Sequence, residues 1–265
     1  MERRGTRTAL GVFTAFVLAF LYIPIALICI YAFNKSNIQS WPIPGLTTKW
    51  FSPAIHDPAM QSALWLSLKA AAIATSIAIV LGSLAAFGVD RFNFFGRELV
   101  SFVLVLPIAL PGIITGMALN SYFTFWKVSF SLLTIVIGHA TFCVVVVYNN
   151  VLARLRRLPG SLEEASMDLG ANRVQTFRYV TLPAISTALV SGALLAFALS
   201  FDEVVVTTFT AGAQNTLPIW ILGNVQRGQS LPEVNVVVLM VLAFTVIPVL
   251  FAQRLTRESG ILRTE

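Results

Sequence analysis

The sequence predicts an all-α membrane protein with six transmembrane helices. Of its 265 residues, 57% are hydrophobic and only 11% are charged, whereas soluble domains carry about 25% charged residues. The apolar residues also fall into six runs, each of which is long enough to cross a bilayer at about 1.5 Å of helix per residue. Polar or charged segments separate these runs, as expected for a multi-pass protein.

The six predicted spans cover most of the chain. They run over residues 9–33, 61–87, 99–125, 129–152, 184–211 and 234–253. The first run follows a basic stretch as a signal peptide would, but it is too long and no small-residue cleavage site follows, so we expect an uncleaved span. A transmembrane domain of residues 9–253 is therefore predicted, between terminal segments 1–8 and 254–265.

Two spans contain features that disturb a regular helix. Span three carries Pro107, Pro111, Gly112 and Gly116, which indicates either a simple kink or a discontinuous helix of the kind found at transport sites. Span five is longer than one crossing requires and is predicted to be tilted or broken. In span four, the lone histidine, His139, is expected to form hydrogen bonds between helices rather than to bind a ligand.

The segment 161–183 is the one long polar stretch between two apolar halves. Ser161 followed by Glu164 has the spacing of a capping box, so a helix is predicted to begin at Leu162. Gly170 is predicted to end this helix, because glycine readily takes the left-handed backbone conformation.

A second short helix is predicted directly afterwards. Asn172 is placed to cap it, and it should run through Tyr179. Pro183 cannot continue a helix from behind but can open one, so the next apolar run is predicted to start there.

The pattern E-A-S-x-x-x-G, followed by V-x-L-P, spans Glu164 to Pro183. It resembles the EAA signature of membrane subunits of ATP-binding-cassette importers, with Ser166 in place of a usual alanine and Val180 in place of a usual isoleucine. The resemblance implies a coupling helix that docks into a cytoplasmic ATPase. The residues predicted to take part in this coupling are Glu164, Ala165, Ser166, Leu169, Gly170, Leu182 and Pro183; Leu169 is included because it lies four residues after Ala165, on the same helix face.

Three further stretches narrow the resemblance. LPIALPGIITGMAL (106–119), VIGHATFCVVVVYNN (136–150) and ALSFDEVVVTTFTAG (198–212) are similar to the polyamine branch of these permeases, most of all to the second permease subunit of spermidine/putrescine importers. The resemblance implies the type I importer permease fold in a bacterial inner membrane. It also implies three partners: a second, homologous permease subunit, an ATPase homodimer and a periplasmic binding protein.

The basic residues indicate the orientation in the membrane. Six spans put both termini on one side, and that side holds thirteen arginines against four basic residues on the other, with Lys69 inside span two. The excess of positive charge predicts cytoplasmic termini and a cytoplasmic segment 161–183. The net charge of +6 is thereby explained by topology, and we expect no nucleic-acid partner.

The chain lacks the motifs of a catalyst. None of its four lysines follows a glycine, so no phosphate-binding loop is present. No metal-binding or nucleophile motif appears either, and Cys29 and Cys143 both lie in apolar runs. We therefore expect no enzyme activity and no cofactor in this chain, and the resemblance implies that ATP and Mg are bound by the partner ATPase.

The acidic pair Asp202–Glu203 is the most unusual local feature. A charged side chain inside a span costs at least about 2.5–3.5 kcal/mol, so such groups face a cavity, a partner or a cation. Pairing with Lys69 or a buried hydrogen-bond network would be a structural explanation. A functional explanation places Ser200, Asp202 and Glu203 on the path of a cationic solute such as putrescine or spermidine. The alternative solutes are an opine or an amino-acid derivative, and the alternative function is that of a channel subunit.

Overall fold

The computed structural model describes residues 4–245, and the regular secondary structure in this part of the chain is helical apart from one isolated β-bridge between Asn34 and Leu46. The all-α prediction is confirmed. The helices are α1 (Arg4–Ala32), α2 (Phe51–His56), α3 (Pro58–Arg91), α4 (Arg97–Ala109), α5 (Gly112–Phe125), α6 (Leu132–Leu155), α7 (Ser161–Asp168), α8 (Arg173–Thr176), a π-helical segment (Phe177–Thr181), α9 (Leu182–Phe201), α10 (Val205–Thr210), α11 (Leu217–Arg227) and α12 (Leu231–Thr245).

Four of the described helices are long and apolar enough to cross a membrane, and the bent α4–α5 pair would make a fifth. The predicted sixth span begins inside α12, but its residues 246–253 and the predicted tail 254–265 lie outside the described residues. Helix α1 starts at Arg4, so the predicted boundary between a terminal segment and the first span, at residue 9, falls inside the helix.

The chain divides into two compact units, which are described separately. The first contains the described residues of 4–61 and 221–245. Its helix α1 is apolar on all sides, and Phe13, Phe16 and Phe20 are exposed, which suits a lipid-facing helix. In the polar segment that follows, the buried Asn34 accepts a hydrogen bond at its carbonyl oxygen from Trp50 Nε1 (2.8 Å). This segment also contains the short helix α2.

The second unit, Ser62–Trp220, is built on the close packing of α3 against α6. Small residues recur every four positions along α3 and form one buried stripe. They are Ala70, Ala74, Ala78, Gly82 and Ala86. Residues four apart lie on one face of a helix, and small side chains let two backbones approach closely, as is common between membrane helices. Helix α9 packs on another side of α6.

Span three is broken rather than simply kinked. Helices α4 and α5 meet at an angle of 102°, and the break falls at Leu110 and Pro111, both of which are extended. Proline disfavours a helical conformation in the preceding residue, which explains the position of the break. Helix α5 then packs against α10, where Gly116 lies beneath the ring of Phe209.

Candidate functional site

Helix α7 is the predicted coupling helix, but it begins earlier than predicted. Ser161 lies inside the helix, the capping position is occupied by Gly160, and no side chain caps the helix. The amides of Leu162 and Glu163 bond the backbone carbonyls of Pro159 and Gly160 instead. Gly160 has helical backbone angles, so the first turn extends back to these residues and Ser161 has no free amide to cap.

The predicted end of α7 is confirmed. Gly170 has a φ of +90°, in the left-handed region that favours glycine. Asn172 caps the next helix as predicted: its Oδ1 accepts from the Gln175 amide (2.9 Å), and its own amide donates to Gln175 Oε1 (2.8 Å).

The second short helix does not end at Tyr179, and no new helix opens at Pro183. Residues Arg173–Phe201 form one continuous helix of 29 residues, of which Phe177–Thr181 are π-helical. Pro183 has no N–H to offer the carbonyl four residues before it. The helical turn before Pro183 contains one extra residue, so the Leu182 amide donates its hydrogen bond to the Phe177 carbonyl, five residues back. Pro183 therefore sits inside the helix, one residue beyond the π turn.

The inward face of α7 is the face that contacts α3, α8 and the π-helical segment. Its hydrogen bonds to α3 and to the π-helical segment come from Glu163, a residue that the sequence analysis did not single out. Its Oε1 accepts hydrogen bonds from the Arg91 guanidinium, at the end of α3, and from Thr181 Oγ1 (2.6 Å). Ser166, three residues further along, contacts Thr176 through their hydroxyls (3.1 Å). The only sequence signal was the three-residue spacing of Glu163 and Ser166, which puts them on one helix face.

The outward face of α7, which is exposed, carries three of the seven residues assigned to coupling. Glu164 and Ala165 are exposed, and Leu169 is 90% exposed. Leu162 and Met167 are also exposed beside them. Leu162, Ala165 and Leu169 lie on one side of the helix, and an exposed group of apolar side chains is typical of a surface that meets a partner. Leu182 and Pro183 lie on the exposed side of the continuous helix, whereas Ser166 is turned toward α8.

Span five was predicted to be tilted or broken, and the structure shows a break, which lies at the acidic pair. Helix α9 ends at Phe201, and α10 begins at Val205. Asp202 is exposed and Glu203 is half-buried. Glu203 Oε1 accepts a hydrogen bond from the Val206 amide (2.8 Å), so this carboxylate caps α10. Neither acid forms an ion pair with Lys69 among the described residues.

His139 forms the interhelical hydrogen bonds that were expected of it. It is buried, with Nδ1 2.7 Å from Ser200 Oγ and Nε2 2.7 Å from Thr207 Oγ1. Thr207 donates its single hydroxyl proton to the Glu203 carbonyl (2.7 Å). Its oxygen must then accept from the histidine, so His139 Nε2 carries a proton. Ser200, predicted to lie on the solute path, is 2% exposed and bonded to His139 in this conformation.

Two more polar side chains support the short helix α10. A helix leaves its last carbonyls without internal partners, and in a membrane these must be satisfied by neighbours. Asn120 Nδ2 donates to the Phe209 carbonyl (2.7 Å), and Thr134 Oγ1 lies 2.8 Å from the Thr210 carbonyl. Their sequence signal was a polar residue within an apolar run. No cluster of three metal-ligating side chains is found among residues 4–245.

Comparison with known proteins gives a consistent result. Residues 78–258 match the family described as "Binding-protein-dependent transport system inner membrane component". The putrescine transport system permease protein PotI of Escherichia coli K12 is 39% identical over 232 residues, which cover 84% of this chain and 82% of that protein. The spermidine/putrescine transport system permease protein PotC of the same organism is 32% identical over 250 residues, 94% of each chain.

Other relatives show the breadth of the family. The sulfate transport system permease protein CysT of Salmonella typhimurium is 31% identical over 220 residues, 78% of this chain and 76% of that one. A crystal structure of a bacterial ABC transporter involved in the import of the acidic polysaccharide alginate matches with a TM-score of 0.69, 14% identity, and coverage of 97% of this chain and 98% of the other. At that identity the match shows a shared fold. The chain belongs to the family of binding-protein-dependent transport system inner membrane components, and it is a transport permease rather than an enzyme.

Proposed function

We propose that this permease forms half of the membrane path of an ATP-driven importer for putrescine or spermidine. The other half would be a second, homologous permease subunit. An ATPase homodimer would dock on the outward face of α7, and a periplasmic binding protein would deliver the solute. The names of PotI and PotC support the polyamine assignment. CysT, named for sulfate, suggests that residues on the path, rather than the fold, select the charge of the solute.

The observation that carries the proposal is the exposed carboxylate of Asp202 at the break between α9 and α10. The C-terminal end of a helix carries partial negative charge, so an acid there costs stability, whereas a cation there is stabilised. Asp202 has this position at the end of α9. An ammonium group at the break would meet both a carboxylate and the negative end of a helix.

The two neighbouring acids have different environments, and we assign them different roles. Glu203 lies just before α10, where a carboxylate is favourable, and it accepts a hydrogen bond from the Val206 amide. A glutamine at this position keeps an oxygen that can accept the same bond. We therefore assign cation binding chiefly to Asp202 and local folding chiefly to Glu203, and Ser200 would act through His139 by fixing the end of α9.

The orientation proposed is the one predicted from charge, with α7 in the cytoplasm. Thirteen arginines lie on that side in the six-span arrangement, against four basic residues on the other. The exposed Glu164, Ala165 and Leu169 would then face the ATPase. ATP binding would move α7, and the movement would pass through the continuous helix from Arg173 to the break at Asp202.

The test is ATP-driven uptake of labelled putrescine and spermidine into proteoliposomes that hold the whole assembly. We expect uptake by the wild-type protein, a loss of about tenfold or more in Asp202→Asn, and a smaller loss in Glu203→Gln. Uptake that is insensitive to both substitutions would keep the importer but remove the acids from the path. If polyamines are not taken up and a different loaded binding protein stimulates ATP hydrolysis, the polyamine assignment is wrong.

A further inference from the structure

The carboxylate of Glu163 joins three separate elements at one end of the second unit. The residue belongs to α7, and it bonds Arg91, the last residue of α3, and Thr181, the last residue of the π-helical segment. These partners lie 72 and 18 positions away in sequence. The Glu163 side chain is 21% exposed and that of Arg91 is 37% exposed, so the junction is only partly open to solvent.

The contacts are of a kind that holds a fixed geometry. Hydrogen bonds to an ionised carboxylate are shorter and about twice as strong as bonds between neutral groups. Phe87, in the last turns of α3, also packs edge-on against Phe177 of the π-helical segment, with ring centres 5.5 Å apart. The end of α3 and the π-helical segment therefore already touch, and Glu163 fastens α7 to both.

The covalent connections of α7 cannot supply the same coupling to α3. Helix α7 follows α6 and precedes α8, so chain continuity carries its movement to these two elements alone. Gly170, at the turn into α8, has no neighbouring atom within 4 Å of where a side chain would begin, and the Ser166–Thr176 contact links α7 to α8 rather than to α3. Among the described contacts, the Glu163–Arg91 pair is the direct side-chain link from α7 to α3.

We propose that Glu163 is a positioning residue through which the coupling helix moves the ends of α3 and α9 together. The proposal rests on the proposed coupling of α7 to an ATPase. It gives separate tasks to two adjacent glutamates: Glu164 faces outward toward the ATPase, and Glu163 faces inward and carries the movement into the membrane helices. Without Glu163, the ATPase still docks and hydrolyses ATP, but α3 no longer follows.

The experiment measures putrescine uptake and ATP hydrolysis in the same proteoliposomes that contain the full assembly. The variants are Glu163→Gln, Arg91→Glu, and the exchanged pair Arg91→Glu with Glu163→Arg. Glu98→Gln serves as a matched control, because it removes an exposed carboxylate from the same region of the chain. We expect Glu163→Gln to lower uptake per ATP by about tenfold, because glutamine keeps an acceptor oxygen but removes the charge that strengthens both hydrogen bonds. The exchanged pair should recover much of the loss, and Glu98→Gln should behave as the wild type.

The proposal would be overturned if Glu163→Gln showed the wild-type uptake per ATP, or if the exchanged pair did no better than either single variant. It would also be overturned if the ATPase were released from the Glu163→Gln complex, because that result would place Glu163 in the docking surface. A second measurement does not depend on the solute. Hydrogen exchange at residues 84–91 of α3 should change on trapping with ATP and vanadate in the wild type but not in Glu163→Gln. If wild-type proteoliposomes take up no putrescine while this difference is present, the polyamine assignment fails and the role of Glu163 stands.

Discussion

The substitution Gly82→Ala tests the close approach of α3 and α6 in the described core. A Cβ atom at position 82 would lie 2.8 Å from the Val144 carbonyl oxygen, 3.0 Å from the Tyr148 amide nitrogen and 3.0 Å from Val147 Cβ. Two of these neighbours are backbone atoms of α6, which cannot rotate away. Carbon–oxygen contacts normally begin near 3.3 Å, so α3 and α6 would have to separate by about 0.5 Å.

The cost of this separation exceeds the benefit of replacing a glycine in a helix. Overpacking a well-packed interior costs about 1–3 kcal/mol, and glycine to alanine within a helix returns up to about 1 kcal/mol. Separation would also loosen the contacts of Ala78 and Ala86, both of which are fully buried on the same stripe. We therefore expect a net loss of about 1–2 kcal/mol in the free energy of unfolding.

The matched control is Gly88→Ala on the same helix, where no atom lies within 4 Å of the added Cβ. Thermal unfolding of the purified assembly in detergent should show a midpoint lower by about 2–8 °C for Gly82→Ala, at about 2–4 °C per kcal/mol. Gly88→Ala should match or slightly exceed the wild type. Equal midpoints for the two variants would mean that α3 and α6 do not approach as closely as described.

Three further substitutions address the coupling segment and the broken span. Gly170→Val forces a branched side chain into a φ of +90°, at a cost of about 1–3 kcal/mol. We expect a normal amount of the variant protein in the membrane but strongly reduced solute uptake. Normal uptake would refute the coupling role of this turn. His139→Leu removes the hydrogen bonds to Ser200 and Thr207 and should lower the free energy of unfolding by about 1–3 kcal/mol. His139→Gln should lower it less. Equal thermal unfolding midpoints for the two His139 variants would argue against these hydrogen bonds. Asn120→Leu takes the donor from the Phe209 carbonyl and should lower uptake more than the neighbouring, exposed-face change Tyr122→Phe.

The features that were predictable from sequence depend on composition or on a few adjacent residues. Long apolar runs identified the helices that cross the membrane, because a bilayer demands about 20 apolar residues whatever the tertiary packing. The cap at Asn172 and the helix end at Gly170 also follow from local rules. The length of span five predicted that it would be tilted or broken, and the structure shows the break, at Asp202.

The features that were missed depend on partners that are distant in sequence or on backbone geometry. Glu163 could not be chosen over Glu164, because its partner Arg91 lies 72 residues away. The capping box at Ser161 matched the sequence rule, but Gly160 had already taken helical angles. The π turn before Pro183 was likewise invisible, since a proline can either open a helix or be absorbed by widening it.

The fastening of α9 to α6 explains how a movement at one end of α9 can reach a carboxylate at the other. Arg154 Nε donates to the Ala184 carbonyl (2.9 Å) near the start of α9, and His139 holds Ser200 at its end. Between them, Gly192 lets α9 approach α6 so closely that a Cβ there would lie 3.3 Å from the Val147 Cα atom. Because α9 contacts α6 at three points along its length, α9 should be displaced together with α6 rather than bent. Movement delivered at the π-helical segment should therefore arrive at the break, where the regular helix stops beside the exposed carboxylate of Asp202.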